Sequence, residues 1–215
     1  MSSFEREYWE TNYAQPEAME GISNAAEHAR YLKSFFEVEN LRIETMVDLG
    51  YGLGFQMREM LYLFSPSHAW GIEPSAYARK KAAELSYDPY GRIDLQLSDE
   101  SLSTWATGDL PNNDVIDLGV CMSVLQYIPD EDMDAIIEGM ARRLKFLYLT
   151  VPTDVELGRQ VDELEFKDSW AIHRSRDWYQ AAFAPHFSFV GSRILESKRY
   201  FDEENTLCTD LLYRW

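Results

Sequence analysis

The chain has 215 residues, 46% hydrophobic and 27% charged, with no low-complexity tract; this is enough apolar matter for a full core and excludes a disordered chain. Its 37 acidic against 20 basic residues leave a formal charge of −17, so a polyanion such as nucleic acid meets net repulsion at long range and is disfavoured as a substrate. The only two cysteines, Cys121 and Cys208, show no CxxC or Cys/His ligand spacing, which excludes a disulfide framework and fits a reducing compartment.

The first residues lack the basic start and apolar stretch of a signal peptide. No apolar run is long enough to span a bilayer. The sequence therefore predicts a soluble, cytoplasmic protein with no membrane partner. A helix is predicted over residues 21–38, with Ile22, Ala25, Ala29, Leu32 and Phe36 on one face. Met46-Val47-Asp48-Leu49 reads as a short strand, and a helix then runs from a glycine-rich turn through Phe64 to a stop at Pro66. Residues 69–73 form a second strand, followed by a helix through Leu85. The alternation in residues 93–97 predicts a strand near a sheet edge. The apolar run 115–121 predicts a strand buried on both faces. From Asp130 a helix carries Met133, Ile136, Ile137, Met140 and Leu144 on one face. Residues 146–151 are a fifth strand.

Past Pro152 the rhythm breaks. Residues 153–174 read as an irregular acidic segment of the kind that forms lids and binding loops. Ser175 is the expected N-cap of a helix through Phe183, with Asp177 favourable in its first turn. Two last strands, near 187–196 and 206–214, are expected to pair as an antiparallel hairpin joined by Asp202-Glu203-Glu204-Asn205. Strand–helix alternation of this kind predicts an α/β domain with a mostly parallel sheet.

The strongest motif is Val47-Asp48-Leu49-Gly50-Tyr51-Gly52-Leu53-Gly54, between a strand and a helix. A sharp strand-to-helix turn needs residues free of a Cβ, and the helix start offers unpaired N–H groups to an anion, either a pyrophosphate or a carboxylate. A dinucleotide site shows G-x-G-x-x-G; this chain has G-x-G-x-G followed by bulky Phe55. An acid that holds ribose hydroxyls is expected about 20 residues on, at the end of the second strand; Glu73 lies 19 residues past Gly54.

At this point the chain resembles the class I S-adenosylmethionine-dependent methyltransferases. Residues 47–54 are similar to their first motif and Trp70-Gly71-Ile72-Glu73-Pro74-Ser75 to their second, with Glu73 as the ribose acid. Ser98-Asp99-Glu100 looks like the third-strand end, where an acid takes the adenine amine. Ile116 to Cys121 looks like the fourth-strand motif, and Val124-Leu125-Gln126-Tyr127-Ile128-Pro129-Asp130 resembles the stretch that follows it. The motifs cover about residues 40–152 in order, and the likeness continues more weakly to the end. It implies a Rossmann-like sandwich: a mostly parallel seven-stranded sheet ending in an antiparallel hairpin. One domain is expected over 1–215, with an N-terminal cap and helix (1–40), a cofactor-binding core (41–152), a lid or substrate segment (153–174) and a terminal helix and hairpin (175–215).

The resemblance implies S-adenosylmethionine as cofactor, held by Asp48, Gly50, Tyr51, Gly52, Gly54, Glu73, Asp99, Glu100, Cys121 and Met122. Asp48 either orients the loop or touches the ligand. Tyr51 replaces a small residue and is placed to shape the methionine end of the pocket. Tyr127 stands where a histidine is common. Tyr8, Trp9 and Tyr13 resemble an aromatic entry segment that closes over the cofactor, and aromatic packing against the helices is the other reading. Tyr127 and Trp170 join them as substrate or lid residues. His173 is the candidate general base, because its pKa lies near working pH; a surface histidine is the alternative. Cys121 has no histidine or other base motif to make it a nucleophile. His28, His68 and His186 show no ligand spacing, so no metal is expected.

The expected reaction is in-line methyl transfer to a small-molecule acceptor. The chain lacks the Asn/Asp-Pro-Pro-Tyr motif of amino-group nucleic-acid methylases and the cysteine set of arsenite methylases. A non-catalytic binding protein of the same fold is the alternative. A nicotinamide-dependent oxidoreductase is disfavoured by the glycine spacing and by the absence of Tyr-x-x-x-Lys.

Overall fold

The structure is a computed structural model and describes residues 8–10, 22–88, 90–108, 115–164 and 168–215. In chain order the elements are α1 (Ala25–Val38), β1 (Thr45–Leu49), α2 (Phe55–Phe64), β2 (His68–Ile72), α3 (Ala76–Ala82), β3 (Asp94–Ser98), α4 (Leu102–Thr107), β4 (Ile116–Met122), α5 (Asp130–Arg143), β5 (Leu144–Thr150), α6 (Asp154–Leu164), α7 (Arg176–Phe183), β6 (Phe187–Gly191) and β7 (Ile194–Ser197), with 3₁₀ turns at Leu125–Tyr127 and Leu211–Tyr213. The strands form a seven-stranded sheet of order β3-β2-β1-β4-β5-β7-β6. This is the Rossmann-like arrangement expected from the motifs. Among the described residues no helix is long and apolar enough to cross a membrane.

The chain forms two compact units: Met1–Trp105 with Ile116–Leu118, and Ala106–Val115 with Gly119–Trp215. In the first, β1 pairs in parallel with β2, and β2 with β3. Every β1 residue after Thr45 is buried. The outer strand β3 is half exposed, as its alternating sequence required. The Asp117 carboxylate accepts the Glu44 and Thr45 amides at 2.9 and 3.1 Å and thereby starts β1. α1 buries Ala25, His28, Ala29, Leu32 and Phe36, and Phe36 meets Phe64 of α2 edge to face. α3 stops at Ala82 rather than Leu85. Its last residues wind into turns, where Glu84 and Leu85 donate to the carbonyls three residues back.

In the second unit α5 buries Met133, Ile136, Ile137 and Met140 of the predicted face, whereas Leu144 opens β5 instead of closing the helix; α5 carries Asp130, Glu131 and Asp132 in its first turn and ends on Arg142 and Arg143, each favourable to the helix dipole. Gly139 is required there. A Cβ on it would lie 2.2 Å from the Ala106 carbonyl oxygen.

Two expectations are corrected in this unit. Residues 153–174 are not irregular throughout, because α6 occupies the first half. Thr153 and Glu156 form half of a capping box, Thr153 N–H donating to Glu156 Oε2 at 2.8 Å. The hairpin also falls earlier than expected. It lies wholly within 187–197, because Arg193 adopts a left-handed φ of 67° and reverses the chain between Gly191 and Ile194. Residues 206–214 are not a strand. Thr206 and Arg214 instead bond to the buried Glu196 carboxylate, and Trp215 exchanges two backbone bonds with Phe189 while stacking on its ring at 4.3 Å.

Candidate functional site

In the first unit β1 ends at Leu49, and the chain turns through Gly50, Gly52 and Gly54, all at positive φ (96°, 52° and 84°). These are values that L side chains rarely adopt. The Gly50 and Tyr51 amides both donate to Ile72 O, which fastens the loop to the end of β2. Gly54 caps α2 with its backbone alone; no side chain takes the free amides of the first turn. A Cβ on Gly54 would lie 2.0 Å from the Tyr87 hydroxyl, which itself donates to Ala82 O at 2.9 Å.

Glu73 follows β2 and is buried. Its Oε2 accepts Gly52 N–H at 3.0 Å and its Oε1 accepts Ser75 N–H at 2.8 Å. Burial raises its pKa, and those two backbone bonds and the charge of Arg79 lower it in part. Each carboxylate oxygen keeps lone-pair capacity for one more donor. Ser75 caps α3 by accepting from Ala78 N–H, and its hydroxyl oxygen also accepts the Trp9 indole N–H at 2.9 Å. The Trp9 ring lies 3.2 Å from where a Gly52 Cβ would be, so the indole covers the middle of the loop. Tyr8 and Trp9 also pack with Ala78, Leu53 and Tyr77. This placement meets the packing reading of the pair. Tyr13 lies outside the described residues.

Asp48 is buried and its Oδ2 has no hydrogen-bond partner. Burial first, and the nearby Glu73 charge second, push its carboxyl up to about 8. The Tyr51 ring is in the core with Met57, Leu61, Ala69, Ala82 and Tyr87. Only its backbone belongs to the loop surface, and burial pushes its hydroxyl up to about 12. Asp99 and Glu100 are exposed just beyond β3. The cap of α4 is Ser101, whose hydroxyl accepts Thr104 N–H at 3.1 Å.

In the second unit Cys121 is buried and Met122 half-buried at the end of β4. Ser123 follows in a left-handed conformation, φ 54°, and donates its amide to Thr150 O. Such strain in a non-glycine residue gathers at functional positions. Tyr127 donates its hydroxyl to Asp168 Oδ2 at 2.5 Å. Trp170 is exposed and its amide donates to Asp168 Oδ1. His173 is exposed, whereas its neighbour Arg174 is buried. Arg174 donates to Asp130 Oδ1, Leu125 O and Ile128 O, and its guanidinium lies 4.6 Å above the Trp178 ring.

Asp168, Arg174, Ser75 and Ser123 are the residues that sequence reasoning missed. Ser75 was legible as the residue before a helix start. The other three act through contacts between segments distant in the chain or through a backbone angle, and no local pattern marks them. No group of three His, Cys, Asp or Glu side chains among the described residues is placed to hold a metal.

No protein-family model matches the chain, and no curated protein matches it in sequence. Solved structures do resemble it. The small RNA methyltransferase HEN1 superposes with a TM-score of 0.61 at 16% identity, over 90% of this chain and 28% of that one. Magnesium protoporphyrin IX methyltransferase (ChlM) from Synechocystis PCC 6803, with bound SAH, gives 0.58 at 15% identity, over 89% and 92%. The plantazolicin methyltransferase BpumL, in complex with a pentazolic desmethylPZN analog and SAH, gives 0.62 at 10% identity, over 82% and 67%. This chain thus spans little more than a quarter of the HEN1 chain. Likeness at such identities is a likeness of fold: the chain has the Rossmann-like fold of the class I S-adenosylmethionine-dependent methyltransferases.

Proposed function

We propose that this chain is an S-adenosylmethionine-dependent methyltransferase, a single cytoplasmic domain acting on a small-molecule acceptor. The observation that carries the reading is the joint between the glycine loop and Glu73, where the Gly52 and Ser75 amides hold a buried carboxylate beside three positive-φ glycines. The residues fit the cofactor. Glu73 has lone pairs left for two ribose hydroxyls, the uncapped start of α2 offers amides to a carboxylate, and Asp48 presents an unpartnered oxygen. Gly50, Tyr51, Gly52 and Gly54 would hold the methionine end through their backbone. Asp99 and Glu100 would hold the adenine amine.

When bound, the cofactor supplies an activated methyl group on sulfur. The protein then has to orient an acceptor atom in line with that bond and exclude water. Trp9 covers the loop at Gly52, which assigns it to excluding water. Tyr8, Tyr127 and Trp170 are assigned to the acceptor side. His173 is exposed, and its assignment as general base rests on its residue type alone.

The preference for a small acceptor rests on the charge of −17, which repels a polyanion. The fold neighbours include a small RNA methyltransferase, a porphyrin methyltransferase and the plantazolicin methyltransferase, so the test has to span these chemistries. Calorimetric titration with S-adenosylmethionine, with NAD as comparator and Glu73→Ala as control, tests the cofactor. Saturable binding that is weakened in the variant and absent for NAD is expected. No binding by the folded protein would sink the reading. Cofactor consumption against small-molecule, peptide and RNA acceptors then tests the acceptor class, and binding without turnover on any of them would favour a non-catalytic binding protein.

A further inference from the structure

The glycine loop is tied to the rest of the first unit at three points, and the third tie is of a different kind. Its start is fastened by the Gly50 and Tyr51 amides on Ile72 O, and its middle by the Gly52 amide on Glu73. Its end, Gly54, donates to Tyr51 O at 2.8 Å and accepts from Arg58 N–H at 3.0 Å, bonds inside the loop and the helix that it opens. Tyr87 meets Gly54 from outside the loop. A Cβ on Gly54 would lie 2.0 Å from the Tyr87 hydroxyl oxygen, and 3.1 Å from both the Tyr87 Cζ and the Ala82 Cβ. The phenol therefore rests on a glycine held at φ 84°, an angle that L side chains rarely adopt.

Tyr87 is itself fixed by elements other than the loop. Its hydroxyl donates at 2.9 Å to the carbonyl of Ala82, the last residue of α3. Its ring is buried with Tyr51, Met57, Leu61, Ala69 and Ala82. The next residue, Asp88, accepts the Tyr90 and Ile93 amides at 3.2 and 2.7 Å, which ties this stretch to the start of β3. Tyr51 lies against a second glycine in the same way: a Cβ on Gly71 of β2 would be 2.8 Å from the Tyr51 ring. Two tyrosine rings thus pack beneath the loop, each against a glycine with no room for a methyl group. Of the two, Tyr87 reaches the loop from a distant part of the chain.

We propose, resting on the reading of this loop as an S-adenosylmethionine site, that Tyr87 is a positioning residue for the cofactor. Its phenol is a fixed stop that selects the binding-competent shape of the loop's end. A glycine without such a stop visits many backbone states, and every state other than the competent one lowers the apparent affinity in proportion to its population. Gly54 is also the N-cap of α2, so its backbone angles set the direction in which the free amides of the first turn point. Tyr87 acts through Gly54 and not on the cofactor itself.

The test is calorimetric titration of the full chain with S-adenosylmethionine, read as a dissociation constant and a number of sites. The proteins are the wild type, Tyr87→Phe, Gly54→Ala, the double variant and, as control, Tyr62→Phe at an exposed tyrosine of α2. Tyr87→Phe keeps the ring and loses the hydroxyl stop; it is expected to bind about three- to tenfold more weakly, with the number of sites unchanged. Tyr62→Phe should bind as the wild type does. Gly54→Ala brings a Cβ against the hydroxyl and should weaken binding on the order of 100-fold. Adding Tyr87→Phe to it should recover about tenfold of that loss. A residue that merely supports the core gives no such recovery, because two independent losses add. Unchanged affinity in Tyr87→Phe, or a double variant that binds no tighter than Gly54→Ala, overturns the proposal and leaves the cofactor reading standing. No binding by the wild type overturns both. Should either Gly54→Ala protein fail to fold, as judged by circular dichroism, the comparison of Tyr87→Phe with Tyr62→Phe decides, and equal dissociation constants overturn the proposal.

Discussion

The loop after β1 and the turn after β4 are both strand-end connections, yet they are held in opposite ways. The first is a backbone construction: three glycines at positive φ, the Gly52 amide aimed at the Glu73 carboxylate, and a buried acid with an unpartnered oxygen. The second is tied by side chains, with Arg174 sending its donors to Leu125 O, Ile128 O and Asp130, while Tyr127 is bound to Asp168. A connection clamped by several charge-assisted side-chain bonds is built to stay in one shape, and here the clamp also carries the buried, unpartnered Gln126 Oε1. One that leaves polar capacity unspent in a buried place costs stability until something fills it.

The comparison breaks most readily at Arg174. Arg174→Ala strands the Ile128 carbonyl, leaves Leu125 O with the Ile128 N–H alone and frees Asp130, and is expected to cost about 3 kcal/mol, read as a fall in Tm of roughly 6–12 °C for a chain of this size. A variant that melts like the wild type would remove the claim that this side chain sets the turn. Glu73→Ala acts instead on ligand affinity. Loss of two charge-assisted bonds should weaken S-adenosylmethionine binding by about 2–3 kcal/mol, or on the order of 30–160-fold. An unchanged dissociation constant in a folded variant would count against the loop as the cofactor site.

The unspent acid gives a pH signature to the cofactor-free protein. The folded chain holds the Asp48 proton up to about 8, whereas an unfolded chain releases it near 3.8. Stability therefore falls as pH rises through that window. Denaturant titrations at pH 5 and pH 8 should show the fall, and Asp48→Asn should flatten it and gain on the order of 1 kcal/mol at pH 8. A wild-type protein equally stable at both pH values would show that Asp48 is already ionised when folded. Tyr127→Phe removes one hydroxyl from Asp168 and is expected to cost about 1 kcal/mol in thermal unfolding. Smallest of all, His173→Ala should change stability by less than about 0.5 kcal/mol, since the ring is exposed. A large loss of turnover in that variant would restore it as the base.

Strand β1 and the loop 50–54 were legible because both are local: an apolar run and a glycine pattern report directly on burial and on backbone angle. Helix α5 was legible through its single apolar face. Helix α6 was not, because acidic composition hid it, although Thr153 and Glu156 carried the capping signal. The end of the sheet was misplaced because residues 206–214 have strand-like composition, and only a left-handed turn at Arg193 and the buried partner Glu196 direct them elsewhere.

The sequence by itself determined strands β1 to β5, the glycine loop and the acid 19 residues beyond it, since each depends on neighbours within one turn or strand. The tertiary structure decided which groups are spent and which are not: Tyr51 in the core, Trp9 over Gly52, Arg174 bonded through all three guanidinium nitrogens and Asp48 Oδ2 unpartnered. Burial and hydrogen-bond pairing are properties of contacts between segments far apart in the chain, and a one-dimensional pattern does not contain them.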